Sequence, residues 1–220
     1  MVATAMWDET GPVERWTMTL TAESKLHGVD RSVQLAVAHL VRIDNNVSWD
    51  TSFDLDNISA DLGEIGTAID ERQNQLENYS LYRGANSTTL IADLVIVDRY
   101  WRGHGLGPAL VLLSADMLRA DPIFLIYSAL TTEVGPTGKL TADLFSPRGD
   151  AEAYRKVRTA WSRVGFRKLQ HAVLWRPIPE DHGQAARNRI AGLEAKLRTP
   201  TGLAWWRRRA ARQTTAESSN

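Results

Sequence analysis

Residues 95–107 read Val95-Ile96-Val97-Asp98-Arg99-Tyr100-Trp101-Arg102-Gly103-His104-Gly105-Leu106-Gly107, and Pro108 follows. An apolar run enters a turn with three glycines, and an apolar helical pattern leaves it. Strand, glycine turn and helix in that order make an anion site. The first N–H groups of a helix lack intrahelical partners, and the helix dipole places partial positive charge there. Glycine lets backbone approach a phosphate with no Cβ in between. Pro108 has no N–H, so the donors must come mainly from residues 103–107.

Upstream of the loop, Leu90–Val97 is apolar nearly throughout, as in a central strand buried on both faces. Asp93 is the exception. Downstream, a helix is predicted over Pro108–Leu118, with Pro108 in its first turn. A buried strand follows over Ile123–Thr131. Gly135–Gly149 is a Pro/Gly-rich loop with one possible turn at Lys139–Phe145. A helix over Asp150–Arg163 is stopped by Gly165. Short strands at Phe166–Leu169 and Ala172–Arg176 come next, then a helix over Gly183–Arg198.

Further upstream the period changes. Trp16, Met18 and Leu20 alternate with threonines, and Val33, Leu35, Val37, Val41 and Ile43 share one face. Two strands, Arg15–Ala22 and Ser32–Ile43, are expected to form a hairpin through His27-Gly28. His39 falls on the apolar face and reads as a hydrogen-bonded core residue. Leu55, Ile58, Leu62, Ile65, Ile69 and Leu76 recur at helical spacing, which predicts one amphipathic helix capped by Asp54 or Asp56.

The 220 residues are 43% hydrophobic and 24% charged, as in an ordinary globular protein. The chain has no cysteine, which excludes disulfides and thiolate catalysis. Net charge is zero, so no whole-molecule field attracts nucleic acid or membrane. No apolar run is long enough to span a bilayer, and the N-terminal residues lack the pattern of a secretory signal. The expectation is a soluble, cytoplasmic protein without a membrane span. Charge is uneven within it: Asp44–Glu77 carries nine acids against Arg72 alone, whereas Glu180–Asn220 carries eight bases against four acids.

Other loop types fit less well. A dinucleotide loop needs G-x-G-x-x-G, but this one reads G-H-G-L-G-P, with the third glycine one residue early. Gly135–Leu140 has too few residues between its glycines for a Walker loop and a leucine where the magnesium ligand belongs. A plain glycine turn into a helix stays open on these residues alone.

Arg102-x-x-Gly105-x-Gly107 resembles the R/Q-x-x-G-x-G/A motif of the Gcn5-related N-acetyltransferases (the GNAT superfamily), including actinobacterial members that share the hairpin and acidic helix. Trp161-Ser162-Arg163-Val164-Gly165-Phe166 resembles that family's aromatic-x-x-x-Gly-Phe, in the required order. The likeness covers about Leu90 to Pro177. It implies a mixed α/β, GNAT-like acyl-CoA N-acyltransferase fold, a splayed central sheet with flanking helices. Residues 1–178 would form the GNAT-like domain. Within it, residues 1–88 form a divergent hairpin plus acidic helix, and residues 89–178 form the CoA-binding core. Residues 179–220 would be a C-terminal helix and a basic, partly disordered tail. The usual member has two helices after its first strand; here one long helix follows a hairpin.

The co-substrate implied by the resemblance is acetyl-CoA or another acyl-CoA, with no metal. Its pyrophosphate would rest on Gly103, His104, Gly105, Leu106 and Gly107, with Arg102 shaping the loop. Its pantetheine arm would pair with Val95 and Val97, and Trp161 would pack beside it. The activity would be transfer of the acyl group to a primary amine.

That chemistry needs a proton acceptor for the amine and an oxyanion donor. Asp93, a carboxylate in an apolar strand, is the first candidate base, and Glu133 the second. Trp161 stands where many members place a tyrosine that protonates the thiolate, and an indole cannot do so. Tyr154, two turns earlier on the same helix, is the substitute. The acidic segment favours a cationic acceptor, a small amine or a protein lysine. The rival readings are a CoA-binding protein without catalysis, and nucleic-acid association through Trp205-Trp206-Arg207-Arg208-Arg209. The bland role for that tail is docking on the acidic helix, within the chain or in a homodimer.

Overall fold

Alternating strands at both ends of the chain and a continuous apolar strand between them combine into one mixed sheet in a computed structural model. It describes residues 2–10, 13–26, 29–44, 51–71, 88–98, 101–120, 123–126, 131–134, 140–143, 151–170, 173–176, 182–199 and 204. The strands are β1 (Val2–Thr10), β2 (Val13–Leu26), β3 (Val29–Asp44), β4 (Thr88–Val97), β5 (Ile123–Ile126), β6 (Thr131–Val134), β7 (Leu140–Asp143), β8 (Arg167–Gln170) and β9 (Val173–Arg176). The helices are α1 (Thr51–Asp56), α2 (Ala60–Glu71), α3 (Leu106–Leu118), α4 (Ala151–Ser162) and α5 (His182–Leu197).

The main sheet has seven strands in the order β1-β2-β3-β4-β5-β9-β8, and β6 pairs with β7 in a separate ribbon. All pairings in the main sheet are antiparallel except β4–β5. The chain is therefore a mixed α/β fold with helices on both faces of the sheet.

Each face has its own core. Met18, Leu20, Leu40, Leu90 and Ala92 pack with α3 residues such as Leu106 and Leu110. Val41, Ile43, Ile91 and Phe124 pack with α1 and α2 through Leu55, Leu62, Ile65 and Ile69. Strand β3 serves both cores by alternation, as its period predicts.

Several sequence expectations change. The hairpin is three-stranded, because β1 pairs with β2 along its whole length. The single acidic helix is two helices, α1 and α2, separated at residues 57–59. Ser59 is the cause: its Oγ accepts from the Leu62 N–H at 3.2 Å and starts α2. Asp54 and Asp56 lie inside α1 and cap neither helix. Two glycines then let the helices fold together. An added Cβ at Gly63 would sit 2.5 Å from Asp56 Oδ1, and one at Gly66 would sit 2.5 Å from Ser52 Cα.

Of the strand expected over Ile123–Thr131, β5 covers Ile123–Ile126, residues 127–130 lie outside the described part, and Thr131 begins β6; the possible turn at Lys139–Phe145 contains strand β7. Residues 72–87 lie outside the described part, as do 205–220, so the end of the predicted long helix and the Trp-Arg tail do as well.

The C-terminal helix joins the main core. Ala186 and Leu193 of α5 are buried in the α3-side cluster, with Ile190 packed against it. Arg187 Nη1 pairs with Asp116 Oδ2 of α3 at 2.6 Å.

Candidate functional site

The glycine turn begins where β4 ends. Asp98 is buried and its N–H donates to the Leu35 carbonyl at 2.9 Å. The Trp101 N–H turns back to the Asp98 carbonyl at 2.8 Å. Trp101 is buried, and its ring meets the His104 ring edge-on at 6.1 Å between centroids. Arg102 Nε donates to the Val97 carbonyl at 3.2 Å, so the arginine ties the loop to the strand end.

The three glycines have separate reasons. Gly103 and Gly105 have φ of 79° and 72°, the left-handed region that favours glycine. Gly107 is the close-approach residue: a Cβ there would lie 3.2 Å from Val95 Cγ1 and 3.3 Å from Val97 Cγ2. Helix α3 thus starts directly against the far end of β4. Its first intrahelical bond runs from the Ala109 N–H to the Gly105 carbonyl. The Leu106 and Gly107 N–H groups consequently have no acceptor within the helix, and Pro108 offers none.

Strand β4 is two-sided in its pairing only part of the way. It pairs with β5 at Leu90, Ile91 and Ala92. It pairs with β3 as far as Val97. Among the described residues, Asp93 to Val97 therefore have no β5 partner. Val95 and Val97 lie along this released edge, with their side chains toward Gly107.

Asp93 directly follows Ala92, the last residue of β4 paired with β5 among the described residues. Leu94 pairs with His39 and Ala92 with Leu40, so Asp93 is an extra residue, a β-bulge. The bulge aims Asp93 at the α2 side of the sheet. His39 lies on that same side, between Val37 and Val41 in the alternation of β3. It is half-buried, and its Nδ1 lies 3.2 Å from Thr17 Oγ1 of β2. Burial lowers the His39 pKa below the ordinary histidine value, and Arg15 adds to the lowering while Asp93 opposes it. Asp93 is exposed as a whole residue, yet desolvation raises its carboxyl pKa; His39 and Arg15 oppose the rise and Asp61 of α2 adds to it. His39 is thus hydrogen-bonded as expected but belongs to a polar group, not to the core.

The remaining candidates are less gathered. Glu133 lies on β6, in register with Thr141 of β7. Tyr154 lies on α4. Trp161 is buried against Phe166, with ring centroids 5.1 Å apart. The motif around Trp161 has a structural role. Gly165 adopts φ 92°, its N–H returns to Ser162 and the Phe166 N–H returns to the Trp161 carbonyl. This is a Schellman termination of α4, and the Trp161–Phe166 contact is its hydrophobic partner.

Arg189 is a residue that sequence patterning does not connect to the loop. Helix α5 brings it over the glycines, and its Nε donates to the His104 carbonyl at 3.0 Å. A Cβ on Gly105 would overlap its guanidinium. A substitution at Gly105 thus tests backbone strain and Arg189 together. His104 is exposed and has no such constraint.

Elsewhere on the surface, Arg155, Arg158, Thr159 and Ser162 of α4, with Arg163 just after it, line an open groove of about 400 Å³. Among the described residues no His/Cys/Asp/Glu group is placed to hold a metal. None of the described helices is long and apolar enough to cross a membrane.

No family model and no curated protein matches the chain. Among solved structures, one described as "The crystal structure of KacTA-DNA complex" aligns with a TM-score of 0.32 and 11% identity. The alignment covers 84% of this chain and 76% of that one. A likeness of that size carries no argument about fold, activity or partner.

Proposed function

We propose that the protein is an acyl-CoA-dependent N-acyltransferase of GNAT-like fold, which passes an acetyl or other acyl group to a primary amine. The observation that carries this reading is the glycine turn that opens α3 against the end of β4, where, among the described residues, the ladder with β5 has already ended. Among the described residues, an edge of β4 without a β5 partner then runs from Asp93 to Val97, beside the start of α3. An acyl-CoA fits both ends of that edge. Its phosphates match the amides at the start of α3 and the guanidinium of Arg189; its amide-bearing arm matches the backbone of Val95 and its neighbours. The Val97 carbonyl is taken by Arg102, so it is not among the acceptors for that arm.

In this reading the residues have distinct tasks. Gly103 and Gly105 shape the turn, and Gly107 lets α3 meet β4 closely. Arg102 fixes the strand end. Backbone N–H groups of β4 would supply the oxyanion donor. The acyl-CoA supplies an activated acyl carbon and a thiolate leaving group. Two helices cover the far side of the sheet, as in the family, although they follow the third strand here and not the first.

A CoA-binding protein without catalysis is the second reading. It is favoured by Trp161, which fills the family's tyrosine position and is buried beneath Phe166.

Calorimetric titration with acetyl-CoA tests the common part of both. One site per chain is expected, with affinity lowered at least tenfold by His104→Glu and circular dichroism unchanged. A negative side chain at that exposed position opposes a phosphate without straining the turn. Absence of binding at millimolar acetyl-CoA removes both readings.

A further inference from the structure

The group at the bulge has an arrangement that the proposed cofactor site does not require. Three strands contribute to it: Arg15 and Thr17 from β2, His39 from β3 and Asp93 from β4, with Asp61 approaching from α2. An apolar strand gains nothing from a half-buried imidazole with an exposed carboxylate beside it. The regular ladder is also interrupted to place one of them there.

We propose that His39 is the proton acceptor for the attacking amine, held by Thr17 and faced by Asp93, so that the acceptor enters from the α2 side of the sheet. This rests on the acyltransferase reading above, and concerns which group does its proton chemistry. The transfer requires the tautomer with the proton on Nδ1, in which Thr17 Oγ1 accepts from Nδ1–H and the Nε2 lone pair is available. The amine nitrogen bonds to the acyl carbon while the carbon–sulfur bond breaks. The proton lost by that nitrogen goes to His39 Nε2, and the imidazolium returns it to the leaving thiolate. The products are an amide and a free thiol, with no other reactant needed. Asp93 is a positioning residue: its charge stabilises the imidazolium for the moment it exists. Thr17 is a positioning residue through Nδ1.

The electrostatics agree with this division. The lowered His39 pKa keeps the imidazole unprotonated, and so able to accept, at neutral pH. The charged groups that act on it are Asp93 of β4 and Arg15 of β2, and Asp61 of α2 acts on Asp93. Asp93, the base expected from sequence, is thereby given a different task.

Hydroxylamine is the probe of choice, because it is a small nucleophile that needs no specific acceptor pocket. With acetyl-CoA, the wild-type protein is expected to form acetohydroxamate above the enzyme-free rate. That rate should fall on the acid side at the pH where the His39 ring titrates by NMR. His39→Gln should lower kcat at least 100-fold, about the contribution of a positioned base, and flatten the acid limb, with acetyl-CoA affinity within twofold of wild type. Thr17→Val should shift that limb while the ring still titrates. A His39→Gln protein with an unchanged rate and limb overturns the proposal. So does a kinetic limb that departs from the His39 titration, a measurement that stands even if His39→Gln does not fold. Acetyl-CoA binding without any hydroxamate overturns it as well, and leaves the CoA-binding reading standing. Failure of acetyl-CoA to bind is the separate result that removes the reading beneath it.

Discussion

Asp93 binds its proton more tightly in the folded chain than in the unfolded one, because burial raises its pKa from the ordinary 3.8. The stabilising side of that linkage is present below the ordinary carboxylate value and is lost as pH rises through the raised one. At neutral pH the ionised Asp93 therefore works against folding. Asp93→Asn should raise the urea midpoint at pH 8, and the gain should shrink toward pH 4; equal gains at both pH values would contradict the burial argument. His39 has the opposite sign. Its lowered pKa adds stability that is full above its ordinary 6.5 and lost as pH falls below it. Two neighbours with opposed pH slopes make a local group that folding alone would not select. Sequence patterning found each of these residues for a single reason: Asp93 as a charge in an apolar strand, His39 as a polar residue on an apolar face. It could not find the pair, because the pairing depends on a bulge, and a bulge leaves no mark in the alternation of either strand.

At the scale of elements, what was legible followed from period and from turn chemistry. The glycine turn, α3, α4 and α5 lie within two residues of their predicted bounds. The acidic helix was read as continuous because Leu55, Ile58, Leu62 and Ile65 keep helical spacing across the break. Spacing reports which residues face the core, and both helices present the same face. Ser59 was the visible signal, a capping residue in the middle of the pattern. The Gly63 and Gly66 pair was the other, since glycine three apart in a helix permits a close neighbour. Gly66→Ala makes that testable. Alanine favours an isolated helix by up to about 1 kcal/mol over glycine. Here its Cβ would lie 2.5 Å from Ser52 Cα, which belongs to backbone and cannot turn away. A net loss of about 1–3 kcal/mol is expected from chemical denaturation, the usual cost of overpacking. A gain would mean that α1 does not seat on α2. Strand β1 was missed for a different reason: its residues pair with one neighbour only, at a sheet edge, and carry weak alternation.

At the scale of the whole molecule, the two ends of the chain meet the middle in ways that no local pattern encodes. The N-terminal strands supply Thr17 and His39 to the bulge of β4. The C-terminal helix, whose docking no local pattern decides, packs on α3 through Ala186 and Leu193 and delivers Arg189 to the glycine turn. The composition and the loop motif pointed to the middle of the chain. The partners on either side are set by the sheet order, which becomes known only with the pairing. The bulge has one more consequence, and it is genetic. Asp93 is the residue that the ladder with β3 skips, so losing its codon would let Ala92 and Leu94 follow one another in ordinary register. Leu94 and Ile96 already share one face, and Val95 and Val97 the other, so no downstream side chain would need to change sides. A chain lacking residue 93 is expected to fold with an unchanged circular dichroism spectrum and a higher melting temperature, yet to form acetohydroxamate more slowly, because His39 is kept and loses the charge beside it. One in-frame deletion would then separate what the sequence needs in order to fold from what it needs in order to react at full rate, and descendants that keep the first without the second lie a single mutational step away.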